Sequence, residues 1–246
     1  MKEKIYTIPV NEAFSEDCEC PLCHLEKKLE SDAVDYTLGA AMMEPDYRIL
    51  SNELGFCRRH CSMLIRKQNK LSLSLVLDTH LDALRTKLKA LDKSISSVSN
   101  EKSSFFKKSN RDSINNVTSA LKTAENSCVI CDKINKTAER YIDVIFYLWQ
   151  NDSSFRQKLT NGKGFCLHHF NILLESAFSH LNHTQAAEFA KIIYDKECSE
   201  LERIQDEIHR FTLKFDYRNK DMELGSAADA PQRTIEKISG FLADSE

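Results

Sequence analysis

Apolar residues recur along much of the chain in steps of three and four. Leu22, Leu25, Leu29, Ala33, Tyr36 and Ala40 follow this rhythm, as do Ile130, Ile134, Ala138, Tyr141, Ile145 and Leu148. That spacing places each set on one face of a helix. A shorter helix is predicted after each, from about Pro45 to Leu54 and from about Asp152 to Leu159. Pro45 suits a first helical position, and Gly55 and Gly162 suit stops. A long helix should then start at each Gly-Phe-Cys element. In the first, Leu77, Leu81, Leu84, Leu88 and Leu91 form a heptad-like seam. In the second, after a break near Asn182, the seam runs Ala187, Ala190, Tyr194, Leu201, Ile204, Ile208, Phe211 and Phe215. Such seams predict antiparallel helices packed within one domain, with a homodimer as the other way to cover them. A last short helix should begin at Pro231 and stop at Gly240.

The breakers support an all-α fold. There are only six glycines and four prolines, with no proline between Pro45 and Pro231 and no glycine between Gly55 and Gly162. A β-rich chain of 246 residues would need many more turn residues.

The two helical series superpose at a shift of 108 to 109 residues. Cys20-Pro21-Leu22-Cys23 falls on Cys128-Val129-Ile130-Cys131, and Gly55-Phe56-Cys57-Arg58-Arg59-His60 on Gly164-Phe165-Cys166-Leu167-His168-His169. Between Cys23 and Cys57 lie 33 residues, and between Cys131 and Cys166 34. Tyr47-Arg48 also falls on Phe155-Arg156, and Leu64 on Leu173. The reading is an internal duplication of a helix, short helix, long helix repeat, forming a bundle stapled by two metal sites. Its parts would be a first repeat at 1–92, a connector at 93–113, a second repeat at 114–224 and a tail at 225–246, together one compact domain. The connector holds eight serines, several lysines and the Phe105-Phe106 pair.

Composition narrows the function classes. Lys and Arg number 34 against 37 Asp and Glu, a formal net charge of -3, without the basic excess of a nucleic-acid binder. The longest fully apolar run, Val144 to Trp149, is far short of a membrane span, and Met1 to Tyr6 has no signal-peptide character. The expectation is a soluble, cytoplasmic protein. In a reducing compartment nine cysteines point to metal or thiol chemistry before disulfides.

Zinc takes four soft or borderline ligands in a tetrahedron, and Cys-x2-Cys supplies one edge. Cys-x2-His in a first helical turn supplies the opposite edge, since i and i+3 share a face. The register of the duplication selects the ligands: Cys20, Cys23, Cys57 and His60 for one site, and Cys128, Cys131, Cys166 and His169 for the other. A helix out and a short helix back would close each set within its own repeat. Two zinc ions are favoured over an iron–sulfur cluster, which usually takes four thiolates. Lys27, Arg58 and Arg59 near one site, and Lys133 and Lys163 near the other, could offset the charge. Cys18 and Cys61 have no counterpart in the second repeat; flanking the first site, they are candidate redox thiols. Cys198 reads as buried and inert, His80 and His209 as surface or seam-edge residues, and His180 and His183 as a solvated pair. No phosphate loop, nucleophile elbow or His-Glu-x-x-His motif is present, so no catalytic residue is assigned.

The Cys-Pro-Leu-Cys helix, the Gly-Phe-Cys-Arg-Arg-His element and the Phe215-Asp216-Tyr217-Arg218-Asn219 stretch resemble the bacterial family known as domain of unknown function 6062. The resemblance covers nearly the whole chain. It implies a cytoplasmic bacterial protein and brings no activity, substrate or catalytic residue. The residues themselves favour a non-enzymatic module in which structural zinc supports a protein-binding surface. A zinc–thiol switch at the first site is the alternative. A third reading is an enzyme with a pocket near Asp216, Tyr217 and Arg218.

Overall fold

The computed structural model describes residues 4–92 and 107–240. The Phe105-Phe106 pair and most of the connector lie outside the described residues. Among the described residues eleven α-helices follow one another: α1 (Lys4–Ala13), α2 (Pro21–Leu38), α3 (Pro45–Leu54), α4 (Arg58–Arg66), α5 (Lys70–Ala90), α6 (Lys107–Asn126), α7 (Val129–Asn151), α8 (Ser153–Asn161), α9 (Leu167–His180), α10 (His183–Leu213) and α11 (Ala230–Ser239). Among the described residues there is no strand.

Local signals explain most boundaries. Pro45 opens α3, and Gly55 closes it at φ +62°. The Asp152 carboxylate caps α8 by accepting from the Ser154 and Phe155 amides at 2.8 and 3.2 Å. Asn182 caps α10 by accepting from Gln185 N at 2.9 Å, where the sequence predicted a break. The first repeat breaks too, contrary to the single long helix expected there. Lys67 leaves helical geometry at ψ 148°, and Asn69 starts α5 by accepting from the Ser72 amide at 3.2 Å. Asn69 thus caps α5 as Asn182 caps α10.

The chain divides into two compact units that do not follow the sequence order of the repeats. The first comprises residues 1–28 and 137–246, the second residues 29–136. In the first unit α10 packs on α8, α9 and α11. Its core holds Phe146, Trp149, Phe155, Leu173, Phe189 and Ile193, all essentially inaccessible. Phe189 meets the rings of Phe146 and Trp149 at centroid separations of 5.0 and 5.2 Å. In the second unit α3 packs on α5, and Arg48 reaches across to the carbonyl of Leu75 at 2.9 Å. The core here joins Val34, Leu38, Ala41, Tyr47, Leu64, Leu73, Val129 and Ile130.

Two expected seams are corrected. On α5 the buried positions are Ser72, Leu73 and Val76, whereas Leu81 is 61 % exposed and Leu88 39 %. On α10 the buried face is Ala186, Phe189, Ile193, Glu197, Glu200 and Ile204. Of the expected seam Ile204 is buried, whereas Ala187, Tyr194 and Phe215 face solvent. Glu197 and Glu200 interrupt the apolar spacing of the buried face. These glutamates are buried because each has a cation beside it: Lys237 for Glu197, Lys196 and Arg203 for Glu200.

Candidate metal centres

Four of the cysteines occupy the same place in a helix. Cys20, Cys57, Cys128 and Cys166 each stand one residue before the first residue of α2, α4, α7 and α9. Their carbonyls accept the first helical hydrogen bonds, from the amides of His24, Cys61, Asp132 and Phe170 at 2.8–3.1 Å. Cys23, His60, Cys131 and His169 follow three residues later, in the first turn, so each pair shares a helix face. The free N–H groups and positive dipole ends of helix starts favour anionic sulfur.

All eight predicted residues gather into two groups, but the pairing crosses the repeats. One group is Cys20, Cys23, Cys166 and His169, within the first unit; the other is Cys57, His60, Cys128 and Cys131, within the second. In each, the candidate donor atoms lie within 4.8 Å of one another. The closure of each set within its own repeat is therefore corrected. With 18 residues in α2 and 10 in α3, the chain travels about 27 Å out and only about 15 Å back. With 23 residues in α7 and 9 in α8, the shortfall is larger. Each Cys-x2-His pair thus falls short of the start of its own repeat and meets the Cys-x2-Cys of the other.

Both groups have the same inner geometry. His169 Nδ1 lies 3.4, 3.3 and 3.2 Å from the sulfurs of Cys20, Cys23 and Cys166. His60 Nδ1 lies 3.2, 3.2 and 3.4 Å from those of Cys57, Cys128 and Cys131. Sulfur pairs approach to 3.5 Å at Cys23–Cys166 and 3.8 Å at Cys57–Cys131. Each ring turns its other nitrogen to a carboxylate. His169 Nε2 meets Glu26 Oε1 at 3.1 Å, and His60 Nε2 meets Glu30 Oε1 at 3.1 Å. Arg59 holds the second oxygen of Glu30 at 2.6 Å. This carboxylate–imidazole arrangement orients a metal-ligating histidine.

In each group the histidine is held above its ordinary pKa and one sulfur below its own. Burial opposes protonation of His60, yet the Cys128 sulfur and the Glu30 carboxylate hold its pKa up to about 10. His169 is held up to about 11 against burial by Cys166, Cys23 and Glu26. Burial would raise Cys128, but His60 and the amides of Cys131 and Cys57 bring it down to about 6. The thiols of Cys20 and Cys23 hydrogen-bond the Cys166 sulfur and lower its pKa. Burial raises Cys20, and the neighbouring Cys166 and Cys20 sulfurs raise Cys23.

Gly55 and Gly164 open the Gly-Phe-Cys elements in the left-handed region, at φ +62° and +77°. A Cβ on Gly55 would lie 2.5 Å from the His80 ring, and one on Gly164 2.6 Å from Glu197 Oε2. His80, expected at a surface or seam edge, is half-buried, lies over Gly55 and bonds the Asn52 carbonyl at 3.1 Å.

Other expected residues fall elsewhere. Cys18 belongs to the first unit, whereas Cys61 belongs to the second and is exposed, so the two thiols attend different groups. Burial pushes Cys18 up to about 11 and also raises Cys61, which disfavours the reactive thiolate at both. Cys198 is exposed, not buried. His180 stacks on Phe146 and pairs with Asp143 at 2.9 Å; His183 packs edge-on against Phe178. Arg218 pairs with Asp216 at 2.6 Å, beside a Tyr217 that is 82 % exposed. Among the proposed charge-balancing cations, Arg59 is on Glu30, Lys163 pairs with Asp17 at 2.5 Å, and Lys133 sits 3.7 Å above the Tyr36 ring. The sequence reading missed Glu26, Glu30 and Lys237. A glutamate one or two turns beyond a Cys-x2-Cys pair looks like any solvated helix residue.

The fold and the two groups define a class: an all-α protein in which four helix starts converge in pairs on two Cys3His clusters, each able to hold one metal ion. The chain belongs to DUF6062, a family of unknown function, whose model matches residues 1–245. Searches of curated proteins and of solved structures find no match. Among the described residues no helix is long and apolar enough to cross a membrane.

Proposed function

We propose that this protein binds two structural zinc ions, one in each unit, and that it acts as a protein-interaction module and not as an enzyme. The observation that carries the zinc half is the donor geometry. Zinc–sulfur and zinc–nitrogen bonds of about 2.3 and 2.1 Å give tetrahedral edges of about 3.8 Å between sulfurs and about 3.6 Å from sulfur to nitrogen. The sulfur–sulfur separations of 3.5 Å at Cys23–Cys166 and 3.8 Å at Cys57–Cys131, and those of 3.2–3.4 Å to Nδ1, lie close to these edges. Donors all within 4.8 Å of one another leave room for a single ion, which argues against a multi-iron cluster. Four protein ligands leave no position for water or substrate, the mark of structural zinc.

The matching order of elements, α2 to α5 and α7 to α10, supports an ancestral duplication of the half-site. Support for a partner protein comes from α5, where Leu81 and Leu88 lie exposed on a heptad-spaced face with Leu77 and Leu84.

Metal analysis and absorption spectroscopy of anaerobically purified protein test the zinc reading. Two zinc ions per chain and no visible band are expected, with one ion lost in Cys23→Ser and one in Cys131→Ser. A visible charge-transfer band with iron in the protein would overturn it.

A further inference from the structure

Lys237 is fully buried, and among the described residues no other lysine or arginine is. An ammonium has three N–H donors, and all three are spent on backbone carbonyls. They go to Glu19 at 3.2 Å, to Phe165 at 3.2 Å and to Lys163. Glu19 and Phe165 are the residues immediately before Cys20 and Cys166, so one side chain ties together both backbone segments that present the sulfurs of the first unit's centre. Glu197 supports the same loop from the other side by accepting from the Phe165 amide at 2.9 Å. Its other oxygen lies 3.5 Å from Lys237 Nζ. Because the three ammonium protons are already committed, this oxygen is left without a hydrogen-bond partner. Lys237 sits on α11, whose closing residue Gly240 lies against the cluster. A Cβ there would stand 3.4 Å from Cys23 Sγ and 3.7 Å from Cys166 Sγ.

The second unit's centre is closed differently. Ser127 Oγ donates to the Leu54 carbonyl at 2.7 Å, and Val129 N donates to Gly55 O at 3.0 Å. These neutral bonds join the two ligand-bearing segments directly. Cys57 and Cys131 are only half-buried, whereas all four donors of the first centre are buried.

We propose that the two centres are unequal: Lys237 and α11 lock the metal of Cys20, Cys23, Cys166 and His169 in place, and the centre of Cys57, His60, Cys128 and Cys131 is the exchangeable one. This rests on the zinc reading above. Lys237 acts as a positioning residue, through the carbonyls it holds, and the accessible sulfurs of the second centre are where a chelator or a competing thiol gains its first foothold.

The test uses the intact zinc-loaded chain under reducing conditions. Excess chelator is added, zinc release is followed optically, and samples are pulsed with iodoacetamide and mapped by peptide mass spectrometry. One equivalent should leave at least ~10-fold faster than the other, the scale on which outer-shell contacts alter metal binding. Cys57 and Cys131 should be alkylated in the fast phase, with Cys20, Cys23 and Cys166 protected until the slow one. Lys237→Met should accelerate the slow phase ~10-fold or more and leave the fast phase alone. In the cobalt-substituted protein it should shift the thiolate-to-metal band of the slow equivalent only. Release of both ions together, early labelling of Cys20, Cys23 or Cys166, or a slow phase indifferent to Lys237→Met would each overturn the proposal. If Lys237→Met does not fold, the labelling order in the wild-type chain decides alone. Protein that carries no metal would overturn the zinc reading itself, a result distinct from any of these.

Discussion

Glu30 accepts a hydrogen bond from His60 at 3.1 Å while its second oxygen holds Arg59 at 2.6 Å. Glu26, one turn earlier on α2, does the same for His169 at 3.1 Å. Neither position has an acidic counterpart in the second repeat, where the register gives Ile134 and Ala138. One helix of the first repeat thus supplies both orienting carboxylates. Replacing Glu30 by Ala should weaken metal binding at the Cys57 group, and Glu26→Ala at the Cys20 group, each by ~10–100-fold. Competition with a calibrated chelator measures this. Equal loss at both centres from either single variant would contradict the assignment.

Proton release offers an independent reading of the first unit's centre. In this centre His169 is held up to about 11 against burial by Cys166, Cys23 and Glu26, and Cys20 and Cys23 are raised, whereas the thiols around Cys166 lower it. A zinc ion takes three thiolates and a neutral imidazole, so raised pKa values at His169, Cys20 and Cys23 mean that binding releases protons. Calorimetry in buffers of different ionisation enthalpy, on a chain carrying Cys57→Ser and Cys131→Ser, should count about three per ion. Affinity should then fall about a thousandfold for each pH unit lowered around neutrality. A count of one would show that the cluster is already deprotonated.

The glycines at the head of the Gly-Phe-Cys elements permit a graded comparison. Gly55, Gly164 and Gly225 all have positive φ, at +62°, +77° and +54°, but nothing lies within 4 Å of a Cβ on Gly225. Gly225→Ala should cost only the backbone strain, ~1–2 kcal/mol. Gly55→Ala and Gly164→Ala should cost more, since a methyl group would strike His80 or Glu197 as well. Denaturant melts of the zinc-loaded proteins give the order, and a Gly164→Ala variant as mild as Gly225→Ala would refute it.

Acid sensitivity should trace in part to Glu200. Burial works to raise its pKa, but Lys196 and Arg203, at 2.8 and 2.6 Å, bring it below the usual 4.5. A depressed folded-state pKa means stability that is present above the unfolded value and is lost as pH falls through the folded one. Glu200→Gln should therefore lower the melting temperature at pH 7 and make no difference well below pH 4.5. A constant deficit at all pH values would point to packing instead.

How far the fold was legible depended on whether its signals are local. Pro45, Gly55, Asp152 and Asn182 act through the backbone within a few residues of themselves, and the helices start and stop where they indicate. Asn69 carries the same information as Asn182, yet the heptad run from Leu77 to Leu91 drew attention to a continuous helix. The face of α10 was misplaced for a less local reason. Glu197 is buried only because Lys237, 40 residues further along, is buried with it.

By itself the sequence determined an all-helical chain, and it singled out eight residues for two Cys3His sets, because helix periodicity, caps and the i, i+3 spacing of the ligand pairs are properties of a single turn. It could not say which Cys-x2-Cys meets which Cys-x2-His. The two copies are chemically interchangeable, so only helix lengths and packing break the tie: α3 returns about half the distance that α2 travels. Tertiary structure alone decided the crossed pairing. It also placed Glu26 and Glu30 on the histidines and brought Lys237 from the far end of the chain to the backbone of the first centre.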